Sequence, residues 1–159
     1  MKNKNLSFMT QAAMIAAIYV VLTYIFAPFS FGEVQVRISE ALTILPIFTP
    51  AAIPGLFVGC LIGNILGGAI LPDIVFGSIA TLIGAFFTWK LREQKPVVAT
   101  FPPIISNIII VPFVLRYGYG VTLPIPFMML TVGIGEVISC TILGLIVYGA
   151  LKKYKSTLF

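Results

Sequence analysis

The chain has 159 residues, 59% of them hydrophobic and 9% charged, with a mean hydropathy of +1.09. A water-soluble domain carries roughly 25% charged residues, so this chain cannot cover a globular surface with water-compatible groups, and lipid is its solvent over most of its area. The net charge of +5 comes from basic residues clustered at the ends of apolar runs, which is a topology signal rather than a nucleic-acid signature.

The length suits one domain, a single transmembrane domain over residues 1–159. A spanning helix needs about 20 mostly apolar residues. The N-terminus, Met1 to Asn5 followed by an apolar run, mimics a signal peptide, but the run Phe8–Phe26 is long enough to span and no small-residue cleavage site follows. It reads as a retained first helix, ended by Ala27-Pro28. The connection Phe29–Arg37 alternates Val34, Val36 and Ile38 with Gln35 and Arg37, which suits a short extended arm. A second apolar run, about Ile38–Phe48, is short for a span and is stopped by Pro50 and Pro54. The third covers Gly55–Leu71 and is closed by Pro72. The fourth is Ile74–Leu91, the fifth Val97–Leu115 and the sixth about Leu123–Leu151.

The charges test this count independently. Lys2 and Lys4 precede the first run, Lys90, Arg92 and Lys95 separate the fourth from the fifth, and Lys152, Lys153 and Lys155 follow the sixth. Lys and Arg prefer the cytoplasmic side of short loops. Placing all of these inside leaves only Arg37 and Arg116 outside, and only an even number of spans on each side of Lys90 allows it. The expectation is therefore an all-α membrane protein, a six-helix bundle with both termini cytoplasmic. Its loops are too short for a nucleotide-binding domain, and no Walker-type phosphate loop occurs.

Small residues mark packing faces. Gly55, Gly59, Gly63 and Gly67 recur every four residues in the third run, making a smooth stripe for another helix. Ala12, Ala13, Ala16 and Ala17 form two overlapping pairs at the same spacing in the first run. Packing within the bundle and docking of a separate subunit are both open for these faces.

Polar groups in the apolar runs are few. A charge at the bilayer centre costs at least ~2.5 kcal/mol. Glu136 falls roughly 20 Å from either end of the sixth run at ~1.5 Å per residue, with Gly133 and Gly135 just before it and no cation within a helical turn. Its partner is another span, a ligand or a proton. Asn107 sits mid-span behind Pro102-Pro103, offering a donor and an acceptor. Arg37 and Glu40, three apart, can pair with each other, and Asp73, directly after Pro72, can cap the fourth helix. Arg116, Tyr117 and Trp89 suit interface anchors. Cys60 and Cys140, within apolar runs, read as small core residues. With no histidine in the chain, the usual metal ligand is missing; no metal, cofactor, catalytic acid–base pair or nucleophile is expected.

Glu33, Arg37, Glu40, Asp73 and Arg116 all fall on the outer half, with Glu136 and Asn107 deeper. A polar cavity opening outward, with carboxylates in excess over the two arginines, suits a small, hydrogen-bonding, cationic solute. Transport of such a solute is the expected activity.

Val36-Arg37-Ile38-Ser39-Glu40-Ala41-Leu42-Thr43-Ile44-Leu45-Pro46, Thr49-Pro50-Ala51-Ala52-Ile53-Pro54-Gly55-Leu56-Phe57-Val58-Gly59-Cys60 and Asp73-Ile74-Val75-Phe76-Gly77-Ser78 resemble the QueT family, over nearly the whole chain. The resemblance implies a substrate-binding S component of an energy-coupling factor (ECF) importer in the bacterial cytoplasmic membrane. Such a protein takes up a precursor of the tRNA base queuosine, a 7-deazaguanine such as the aminomethyl precursor or queuine. It implies docking, through Ala12, Ala13, Ala16 and Ala17, on a transmembrane coupling subunit driven by two ATPase subunits, and inward release by toppling. For such a cargo the polar residues picked out above assign Glu136 to the guanine-like edge and Glu40 or Asp73 to the amine, with Asn107 assisting and Arg37 also counted among the binding residues. The alternative is a stand-alone or proton-coupled small-solute carrier. A membrane scaffold, its small-residue stripes functional and its polar groups structural, is the reading outside transport.

Overall fold

The computed structural model describes residues 3–30 and 36–158, and among these it is helical with no strand. In chain order we label α1 Lys4–Ile25, α2 Ala52–Leu66, α3 Leu71–Lys90, α4 Pro96–Gly118 and α5 Ile125–Lys152. Between α1 and α2 lies a 3₁₀ segment, Ile38–Ile47. Four of these helices, α1, α3, α4 and α5, are long and apolar enough to cross a membrane, whereas Ile38–Ile47 and α2 are shorter apolar helices. The arm suggested around Val34 and Gln35 lies outside the described residues.

The surface is inverted relative to a protein folded in water. Leu6, Met14, Ile18, Val21, Phe76, Ile109, Leu130, Ile134 and Ile146 are exposed, while Arg37, Glu40, Asn64, Asp73, Asn107 and Glu136 are buried. Exposed apolar surface on this scale is unstable in water and at rest in hydrocarbon, which offers no hydrogen bonds and drives polar groups inward.

The second apolar run gains length from its winding. Ten residues of α-helix rise only ~15 Å, but a 3₁₀ helix rises ~2.0 Å per residue, so Ile38–Ile47 reaches ~20 Å. A period of three also stacks every third side chain. Arg37, Glu40 and Thr43 therefore form one row facing into the bundle, and all are buried.

Two boundaries differ from the sequence expectation. The third run ends at Leu66 rather than Leu71, because Gly68 takes φ +78°, a conformation that costs a residue without Cβ nothing. Pro72 then opens α3 instead of closing α2, since its missing N–H is harmless in a first turn. Prolines also break the start of α4. Pro103 cannot donate to the carbonyl of Ala99 four residues earlier, and Thr88 Oγ1 of α3 takes that acceptor at 2.9 Å. The helix lost one bond and gained a cross-link.

The glycine stripe is used inside the chain. A Cβ on Gly55 would lie 2.7 Å from the carbonyl oxygen of Ala12, and one on Gly59 would lie 2.8 Å from Tyr19 Cβ and 3.1 Å from Ala16 Cα. Backbone contact this close lets α1 lie flat on α2. The alanines consequently do not share one face. Ala16 is buried and Ala12 half-buried against the stripe, whereas Ala13 and Ala17 point outward. Adjacent residues on a helix are 100° apart, which divides the two overlapping pairs.

One end of the molecule gathers the basic boundaries. Gln11 Nε2 of α1 donates to the carbonyl of Leu158 at 3.2 Å, and Thr49, beyond the 3₁₀ segment, donates to Gln11 at 2.9 Å. Phe48 stacks on Tyr148 of α5 at 5.3 Å. On the connection from α3 to α4, Arg92 lies 4.6 Å over the Trp89 ring and Lys90 5.3 Å from it, an amphipathic anchor suited to a membrane interface.

Substituting Gly59 by Val should cost about 1–3 kcal/mol through overpacking against backbone. Gly149→Ala, where an added methyl meets nothing within 4 Å inside a helix, should leave stability unchanged or raise it by up to ~1 kcal/mol. Thermal unfolding of the two variants in one detergent separates the effects.

Candidate functional site

The buried charged residues, with the polar groups around them, fall into two adjoining groups. The first is an outer ion-pair cluster. Arg37 at the head of the 3₁₀ segment faces Asp73 in the first turn of α3, its Nη2 3.4 Å from both carboxylate oxygens. Tyr119, just beyond α4, donates to Asp73 Oδ2 at 2.9 Å, and Asn64 of α2 donates to the Asp73 carbonyl at 3.3 Å. Partial burial, with Asp73 beside it, pushes the phenol of the otherwise exposed Tyr119 up to about 12, so it stays a hydrogen-bond donor throughout the physiological range.

Two sequence readings change here. Asp73 makes no cap: the helix is preceded by Ile70 with no side-chain capping bond, and the carboxylate is taken by Arg37 and Tyr119. Arg37 and Glu40 do not pair with each other either. They are stacked on one row, but Arg37 turns to α3 and Glu40 to α1. Arg116 joins neither group; it is exposed and lies 3.4 and 3.5 Å from the carbonyls of Val121 and Leu123, holding the following loop. Glu33 lies outside the described residues.

The second group is deeper and is centred on two carboxylates. Glu40 Oε1 accepts from the Tyr19 hydroxyl of α1 and lies 3.3 Å from Thr81 Oγ1 of α3. Glu136 of α5 accepts at Oε2 from the Cys140 thiol at 3.1 Å. Cys140 in turn sits 3.5 Å from Thr43 Oγ1, the next member of the 3₁₀ row. Carboxylate oxygens of Glu40 and Glu136 and the Cys140 sulfur all lie within 4.8 Å of one another. The α5 helix widens to π geometry at Val137–Leu143, immediately after Glu136, and this segment carries the buried Ser139 and Cys140. Such single-turn widenings recur at functional sites.

Among the described residues, several atoms of this group have no hydrogen-bond partner: Glu40 Oε2, both amide atoms of Asn107, and Ser139 Oγ. Asn107 stands close enough to Glu136 to influence its charge, yet makes no hydrogen bond of ordinary geometry with it. Leaving buried polar atoms unpaired costs about 1–3 kcal/mol each, more where water is absent. A cluster of them beside two acids is the place in this molecule where a ligand gains most. By spacing, Glu40, Glu136 and Cys140 could also approach a metal ion, but the Tyr19 and Cys140 protons are already directed at the two carboxylates. That arrangement suits a hydrogen-bonding organic guest better.

Of the residues singled out from sequence, Glu40, Glu136 and Asn107 thus come together, while Arg37 and Asp73 form the neighbouring ion pair. Tyr19, Ser139 and Cys140 were missed as site residues. A signal existed for two of them: Cys140 follows Glu136 by one helical turn, and Tyr19 and Thr23 continue the inward face of Ala12 and Ala16. The cysteines remain buried thiols, but both touch polar groups, Cys60 lying 3.4 Å from Thr81 Oγ1.

A sequence model of the QueT transporter family matches residues 9–153. The chain belongs to that family. Its members are transporters and not enzymes. The chain is also 33% identical, over 84 residues, to the queuosine precursor transporter QueT of Lactococcus lactis subsp. cremoris (strain MG1363). That alignment takes in 52% of this chain and 48% of the relative, so it spans about half the relative's length. No solved structure matches.

The outer ion pair invites a test. Arg37→Met should destabilise by about 3–5 kcal/mol, because it leaves the buried Asp73 charge uncompensated. Combining it with Asp73→Asn should recover most of that loss. A double-mutant cycle on thermal unfolding reads the coupling directly.

Proposed function

We propose that this protein is the substrate-binding S component of an ATP-driven ECF importer in a bacterial cytoplasmic membrane, taking up a queuosine precursor of the 7-deazaguanine class. The observation that carries the reading is the buried Glu40–Glu136–Asn107 cluster, with unpaired donors and acceptors, inside a chain of the QueT transporter family. A deazaguanine offers N–H donors, a carbonyl and, in its amine-bearing members, an ammonium, and buried carboxylates with an amide and a hydroxyl supply acceptors and a donor for such groups.

On this reading Ile38–Ile47 and α2 cross with the four long helices. This makes a single six-span domain with both termini in the cytoplasm, the basic end inward and the Arg37–Asp73 end outward. Cargo enters from outside, is held by Glu136, Asn107 and Glu40, and leaves inward when the S component topples. Arg37 and Asp73 position the outer end of the site rather than grip the amine, because each already holds the other. The chain contains no phosphate-binding loop, so ATP hydrolysis falls to two separate ATPase subunits working through a transmembrane coupling subunit. Ala13 and Ala17, outward on α1, are the part of the alanine face free to dock on that subunit; Ala12 and Ala16 are covered by α2.

Uptake of a radiolabelled 7-deazaguanine into proteoliposomes tests the assembly. Transport should require the coupling and ATPase subunits together with ATP, and uptake by this chain alone would favour the stand-alone carrier instead. Ala13→Leu combined with Ala17→Leu should abolish co-purification with the coupling subunit while leaving cargo binding to the isolated chain intact. Glu136→Ala should weaken cargo binding by about 10²-fold, the loss expected for a buried charge-assisted hydrogen bond.

A further inference from the structure

Charge is unevenly distributed within the buried interior. Among the described residues, the acids below a tenth exposed are Glu40, Asp73 and Glu136, and the one base is Arg37. Arg37 lies against both oxygens of Asp73, and those oxygens also hold Tyr119. The remaining two acids come from different elements, the 3₁₀ segment and α5, yet their carboxylate oxygens approach within 4.8 Å. At that separation they address the same group of a ligand; they are not placed to hold opposite ends of a bicyclic ring.

The neighbouring donors are neutral. Tyr19 and Cys140 supply one hydrogen bond each, which helps solvate a carboxylate but does not balance its charge. Two carboxylates this close in a medium without water need a positive charge or a shared proton between them. The free atoms match the first option. Glu40 Oε2, Asn107 Oδ1 and Ser139 Oγ are buried, unpaired acceptors, and an ammonium carries three donors and no acceptor. The Asn107 Nδ2 donor is then left for an acceptor elsewhere on the same ligand.

We propose that Glu40 and Glu136 together form a subsite for one cationic group of the cargo, so that among compounds sharing the 7-deazaguanine ring the protein selects those carrying an ammonium. This rests on the transport reading above and sharpens it. It also moves the amine away from Asp73 and gives both deep carboxylates to one end of the molecule. A neutral substituent of similar size would leave the paired acids uncompensated, and that penalty is the source of the discrimination.

The test compares two ligands with the same ring, 7-aminomethyl-7-deazaguanine and 7-cyano-7-deazaguanine, by calorimetry on the purified full chain in nanodiscs. The aminomethyl compound should bind at least ~10-fold more tightly, as a desolvated charge-assisted contact implies. The preference should shrink toward parity in Glu136→Gln and in Glu40→Gln, two variants so that a folding defect in one does not decide the outcome. Equal binding of the two ligands by the unaltered protein, or tighter binding of the nitrile, would overturn the cation subsite while leaving deazaguanine transport standing. Binding of neither ligand by protein with an intact cooperative melt would overturn both.

Discussion

Hydrocarbon cannot donate or accept a hydrogen bond, and that single constraint organises this molecule through one short segment. Arg37 at its head, and Glu40 and Thr43 within Ile38–Ile47, stand in a row, and the 3₁₀ winding keeps that row pointed into the bundle. The two charged members then find partners on other helices, while Thr43 donates to the Glu40 carbonyl of its own segment at 2.6 Å. Arg37 reaches α3, Glu40 reaches α1 and α3, and Thr43 approaches α5. An α-helical winding would rotate Glu40 by roughly 60° and Thr43 by roughly 120° away from the Arg37 position, at 100° per residue, and the row would fan out. The segment acts as a spine to which the long helices are tied by polar contacts, while apolar packing does the same between α1 and α2.

That apolar packing is of the kind lipid permits. Because tails are as apolar as leucine, burying leucine against leucine gains little inside a bilayer, and close backbone approach gains more. Gly55, Gly59 and Gly63 bring α2 against Ala12, Ala16, Tyr19 and Thr23 of α1. The same contact that fixes the two helices places the Tyr19 hydroxyl on Glu40. Packing and site are therefore not separable on this side of the bundle: the glycine stripe positions a donor for the deep carboxylate.

Much of this was legible in the amino-acid sequence, for identifiable reasons. Apolar runs and the positions of Lys90, Arg92 and Lys95 depend on composition and charge alone, and the four long helices follow them. Glu136 and Asn107 stood out because polar residues are rare in such runs. What stayed hidden depended on geometry that spacing does not encode. A ten-residue apolar run does not announce 3₁₀ winding, so Arg37 and Glu40 read as a helical pair instead of two members of a row. Pro72 reads equally well as the end of one helix or the start of the next, and the φ +78° of Gly68 decides it. Spacing marks Tyr19 and Cys140 as inward-facing, but the carboxylates they donate to are known only once the helices are packed.

The two polar groups differ in what they leave available, and that difference bears on how a transporter releases its cargo. The outer pair is mutually satisfied: Arg37, Asp73, Tyr119 and Asn64 hold one another and leave the Asp73 carboxylate little to offer a guest. The deep group is half-satisfied. Tyr19 and Cys140 donate to one oxygen of each carboxylate, which lowers the cost of the unloaded state, while Glu40 Oε2, Asn107 and Ser139 stay unpaired. Were every atom satisfied internally, a ligand would have nothing to gain; were none satisfied, the empty protein would be unstable and the loaded one slow to let go. On the proposed function, internal donors on some oxygens and free acceptors beside them would give a cargo site that rewards binding without making it irreversible, which is what repeated loading and release requires.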